Sequence, residues 1–72
     1  MLPDELTPEQ HLHMALAYYD LALLKQEGKF YYLPKDYVVE WEGGMRFKLI
    51  WRGQVVAPFD DLDELCQFVQ QA

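Results

Sequence analysis

Between Leu12 and Leu24 every residue except His13 and Asp20 is apolar or aromatic. Upstream, Thr7-Pro8-Glu9-Gln10 has the form of a helix start. Thr7 can cap, Pro8 suits the first helical position, and Gln10 completes a capping box with Thr7. Glu9 would lie near the positive end of the helix dipole and Lys25 near the negative end, with Gly28 as the stop. Two apolar stripes run along such a helix. Leu12, Ala15, Leu16, Tyr19, Ala22 and Leu23 have the spacing of a core-facing stripe. Met14, Ala17, Tyr18, Leu21 and Leu24 form a second, surplus stripe. A chain of 72 residues can offer this helix one sheet and one short second helix, so part of its surface is expected to meet another molecule.

A chain of this length makes one domain, and positions 1–72 read as a single small α+β unit with 1–6 as a flexible N-terminal arm. Such a domain buries only about 60% of the surface its unfolded form exposes. The 51% apolar content, with five Tyr, four Phe and two Trp, is rich enough to supply a core, because aromatic side chains bury the most area per residue. Cys66 stands alone, which excludes an intrachain disulfide and fits a reducing compartment. The start Met1-Leu2-Pro3-Asp4-Glu5 lacks the basic and apolar segments of a signal peptide. The apolar run is shorter than the roughly 20 residues a bilayer span needs. A cytoplasmic protein with no membrane association is expected.

The net charge of −6 is unevenly placed. Positions 1–24 carry Asp4, Glu5, Glu9 and Asp20 and no basic residue. All six basic residues fall between Lys25 and Arg52, and positions 53–72 carry only Asp60, Asp61, Asp63 and Glu64. Acidic ends around a mildly basic middle disfavour direct binding to nucleic acid, whose phosphates require a basic face.

Lys29-Phe30-Tyr31-Tyr32-Leu33 is extended in character, either a short strand or an aromatic arm across the core. From Tyr37 to Trp51 the pattern is a hairpin. A Glu42-Gly43-Gly44 loop, with Gly44 left-handed, pairs Trp41 with Met45, Val39 with Phe47 and Tyr37 with Leu49 on the core face, and Glu40 with Arg46 on the other. Arg52-Gly53 turns the chain into a third strand, Gln54–Ala57, with Val56 beside Leu49 and Pro58 as its end. Asp60 and Asp61 open a last helix, with Asp61 and Glu64 as a capping pair and Leu62, Leu65, Cys66 and Val69 inward. The expected fold is α+β: helix, three-stranded antiparallel meander, helix, with the helices packed on one face of the sheet.

Catalytic and metal chemistry find little support. His11 and His13 are two apart on a helix and point in different directions, and Glu9 with His13 gives only two ligands at a useful spacing. The acids at Asp60–Glu64 lack a calcium-loop pattern and suit a helix start on dipole grounds alone. Cys66 is expected as a buried structural thiol. No catalytic residue, cofactor or metal is expected. The outward sheet face, with Val38, Ile50, Val55 and Ala57 beside Arg46 and Lys48, is a candidate contact patch.

These readings favour a non-enzymatic, acidic protein-binding module, an adaptor, inhibitor or homodimer. It would act through Met14, Tyr18, Leu21 and Leu24, or through Val38, Arg46, Lys48, Ile50 and Val55. The alternative is an acidic nucleic-acid mimic that presents Asp60, Asp61, Asp63 and Glu64 to a nucleic-acid-binding enzyme. In charge and fold class the chain resembles small phage-encoded inhibitors of bacterial defence nucleases, without a shared motif. Helix-strand-strand-strand-helix is also the order of double-stranded-RNA-binding domains, but the last helix here begins with acids where that family needs basic residues.

Overall fold

A computed structural model describes residues 7–71; the arm expected over 1–6 lies outside the described residues. The first helix, α1 (Pro8–Tyr18), begins as its sequence predicts. Gln10 N–H donates to Thr7 Oγ1 at 3.1 Å, and Thr7 N–H donates back to Gln10 Oε1 at 3.0 Å. Removing this cap through Thr7→Ala is expected to cost about 1 kcal/mol, measurable as a lowered urea midpoint with an unchanged m-value.

The helix ends six residues before Leu24, which corrects the sequence reading. Asp20 takes φ 58 in the left-handed region, which Asp tolerates better than most residues. Its N–H donates to Ala17 O at 3.1 Å, and Leu21 N–H donates to Leu16 O at 2.8 Å. These are the paired bonds of a Schellman stop, with Leu21 and Leu16 as the accompanying apolar contact. The one acid in the apolar run is therefore the terminator. Beyond it the chain is extended: Leu21 and Leu23 turn inward against the core while Ala22 and Leu24 face out.

Because α1 stops early, Lys25 and Gly28 serve a hairpin instead of a helix end. Strand β1 (Lys25–Glu27) pairs with β2 (Phe30–Tyr32) across Gly28-Lys29, with Gly28 at φ 56. A tight turn at Pro34–Asp36 leads into β3 (Tyr37–Gly43), β4 (Arg46–Trp51) and β5 (Gln54–Phe59). The meander thus has five antiparallel strands in chain order, two more than expected.

The β3–β4 register differs from the expected one by two residues: Val39 faces Leu49, Glu40 faces Lys48 and Trp41 faces Phe47. A bulge between Trp41 and Gly43 places Gly44-Met45 at the turn. Since side chains alternate with period 2, a two-residue slip keeps the paired strand residues on their expected faces, while Met45 leaves the core face for the turn. In β5 a second bulge alters the assignment of faces. Leu49 faces Ala57 and Ile50 faces Val55, so Val56 is the extra residue, and Ala57 lies opposite the core residue Leu49 in place of Val56. The strand also passes through Pro58 to Phe59. Proline is tolerated there because β5 is an edge strand and its missing N–H can face outward.

The last helix, α2 (Leu62–Gln71), buries Leu62, Leu65, Cys66 and Val69 as expected. They meet Leu12 and Leu16 of α1 and Tyr31, Tyr37, Val39, Phe47 and Leu49 of the sheet in one core. Both helices therefore cover the same sheet face. Gln70 Nε2 donates to Tyr19 O at 2.6 Å and Gln67 Nε2 to Tyr19 Oη at 3.2 Å, tying α2 to the end of α1.

Candidate functional site

Two surfaces gather the residues singled out in the sequence. On the uncovered face of the sheet, register places Tyr32, Val38, Ile50 and Val55 in one row across four strands. Phe30, Glu40, Lys48 and Pro58 form the next row. The charges here pair with one another. Lys29 Nζ lies 2.9 Å from Glu40 and Lys48 Nζ 2.9 Å from Glu42. Lys25 Nζ lies 3.0 Å from Glu27, which also accepts from Tyr32 Oη at 3.3 Å. The hydrogen bond from Lys29 holds the Glu40 carboxyl below its usual range, and the Glu42 contact raises Lys48. Val38 and Ile50 are half-buried among these neighbours. Arg46 lies at the far end of β4, with Pro58, Phe59 and Asp60 around it.

The second surface is a groove of about 330 Å³ on the helical side. His11, Met14, Ala15 and Tyr18 line it from α1 at helical spacing, the start of α2 contributes Asp61, Leu62 and Asp63, and the β3–β4 turn contributes Met45. Met14 is 58% and Tyr18 80% exposed, far more open than any apolar side chain of a packed face. Leu62 forms a buried floor. The Nδ1 atom of His11 is buried with no hydrogen-bond partner. Asp61 Oδ1 accepts from Asp63 N–H at 2.9 Å, as a residue opening a helix does.

The structure thus unites Met14 and Tyr18 of the surplus stripe with Asp61 and Asp63 of the acidic patch. It removes Leu21, which packs on the core, and Leu24, which is 64% exposed but leads into β1. Met45, expected opposite Trp41 on the core face, sits at the turn and joins the groove. Sequence reasoning also missed a ring cluster on the far side of α2. Phe68 is 6.4 Å from Tyr37 and 6.1 Å from Phe59, and Trp51 is 6.4 Å from Tyr37, centroid to centroid. Phe68 follows Leu65 by three positions, a spacing that broadens the inward stripe and was available to signal it.

Cys66 is fully buried, and burial, with Asp63 nearby, pushes its thiol up to about 11. His13 lies 3.8 Å from Glu9 and edge-on to Tyr31, remote in role from any nucleophile. Among the described residues no three His, Cys, Asp or Glu side chains come together as a metal set, and no helix is long and apolar enough to cross a membrane. Compared with protein families, curated proteins and solved structures, the chain matches none of them.

Proposed function

We propose that this chain is a non-enzymatic protein-binding module of the cytoplasm whose docking site is the groove between α1, the start of α2 and the β3–β4 turn. The observation that carries this reading is the exposure of Met14 and Tyr18 beside Met45 and Leu62. A contiguous apolar patch with a polar rim is the usual mark of an interface. The open sheet face supports the same function less well, because its lysines pair with Glu27, Glu40 and Glu42 and, Val55 apart, its aliphatic row is half-buried. The β5 edge is blunted by the Val56 bulge and Pro58, devices that discourage edge-to-edge pairing.

Met14→Glu and Tyr18→Glu test the proposal, since both positions are solvent-facing on α1 and leave the core intact. Each variant is expected to melt within a few degrees of the parent and to lose the partners that the parent retains from its host lysate at high salt. Retention of the same partners by both variants would refute the groove as the docking site.

A second reading, an acidic nucleic-acid mimic, is favoured by one observation: neither α1 nor α2 contains a single Lys or Arg. It predicts a partner that binds nucleic acid and is released as salt screens the contact, with little effect from Met14→Glu.

A further inference from the structure

We infer, on the basis of the protein-binding reading above, that the groove takes a basic amphipathic helical segment of its partner. The apolar anchors of that segment would lie on Met14, Tyr18, Met45 and Leu62, and its Lys or Arg residues over Asp61 and Asp63. Charge is the first argument. On the open sheet face Glu27, Glu40 and Glu42 each lie beside a lysine. At the groove neither Asp61 nor Asp63 has an ion-pair partner among the described residues, and the two helices that wall it carry no Lys or Arg. The positive end of the α2 dipole offsets only about half a charge. Two carboxylates without an ion-pair partner among the described residues therefore lie beside the exposed Met14 and Tyr18, and a ligand that is apolar on one side and basic on its flank satisfies both.

Shape and backbone chemistry choose a helix over a strand. The groove walls are two helices and a hairpin turn, so no sheet edge is offered to which an extended peptide could add. What remains is capture by side-chain anchors, and a helix presents these on one side at i, i+3 or i+4, and i+7. Met14 and Met45 suit such anchors, because an unbranched thioether repacks around aliphatic or aromatic side chains of different shape.

The test is titration of the full chain into a fluorescent peptide of about 18 residues. The peptide carries Leu and Phe at i, i+3 or i+4, and i+7, with Lys and Arg on the flanks, and anisotropy is the readout. Controls are the same composition in scrambled order and the same pattern with Glu in place of the basic residues. The patterned basic peptide is expected to bind at least about tenfold more tightly than either control. Asp61→Asn with Asp63→Asn, which keeps a side-chain acceptor for the α2 start, is expected to weaken binding about tenfold at low salt and less at high salt, as screened charge pairs do. Equal binding of the scrambled peptide, or none by the patterned one, overturns the inference. If the patterned peptide fails while lysate capture still depends on Tyr18, the groove binds a partner of other chemistry and the protein-binding reading stands. Sedimentation that shows a dimer broken by Tyr18→Glu would assign the groove to a second copy of the chain and equally overturn the inference.

Discussion

Phe47→Ala is expected to lower the thermal midpoint by at least about 12 °C. Phe47 is fully buried. It stands toward the β3–β4 turn end of the sheet, with Trp41 across from it on β3 and Phe59 on β5. Truncating a buried phenylalanine costs about 3–5 kcal/mol, through lost transfer energy and a cavity its neighbours only partly close. At about 0.05–0.15 kcal/mol per residue, a domain of this length holds only a few to about ten kcal/mol in all. In so small a domain each kcal/mol moves the midpoint by about 4–8 °C. Far-ultraviolet circular dichroism during heating gives the result, and a shift below about 5 °C would mean that the core is organised around other side chains.

The Cys66 thiol should react with a thiol reagent at pH 8 about a hundredfold more slowly in the native chain than in urea, counting only the loss of thiolate. Steric burial slows it further. The cause is the rise from an ordinary value of 9.0 to about 11 in the folded state. The same rise sets a pH dependence of stability. The native state favours the protonated thiol, so its contribution is fully present below about 9, where the unfolded thiol begins to ionise. That contribution is lost as pH rises through about 11. Tyr31 is also raised by burial, and Lys25 and Lys48 by their Glu partners, so the thiol's share is isolated by difference. Thermal midpoints of the parent and Cys66→Ala should converge between pH 9 and pH 11. Parallel curves across that window, or rapid native labelling, would place Cys66 nearer solvent than the core packing has it.

The elements that sequence could reveal are those governed by short-range chemistry. Thr7, Pro8 and Gln10 identified the helix start because a capping box needs those residues at those positions. Leu62, Leu65, Cys66 and Val69 identified the inward face of α2 because its period is unambiguous. The end of α1 was hidden because the run Leu12–Leu24 remains apolar after the helix has ended. Alternation of Leu21 and Leu23 against Ala22 and Leu24 gives way only to a reader who has already seen Asp20 as a left-handed stop. Register was hidden for a different reason: a two-residue slip leaves the faces unchanged, so the hydrophobic pattern has no means of choosing between the two pairings. Half of the groove was legible, Met14 and Tyr18 in the surplus apolar stripe and Asp61 and Asp63 in the acidic patch. Their meeting depends on how the last helix lies against the first, which no local pattern encodes.

The strand order of the sheet repeats the order of the chain, and this has a kinetic consequence. Every hairpin can close from neighbouring segments, so the loop entropy paid before each pairing is small and the meander belongs to the fast-folding class of topologies. The helices follow the opposite rule. Leu12 and Leu16 share their core with Leu62, Leu65 and Val69, almost the full described length away. During synthesis the first helix therefore leaves the ribosome long before the surface that will shelter it, and its apolar stripe is open to chaperones until α2 arrives.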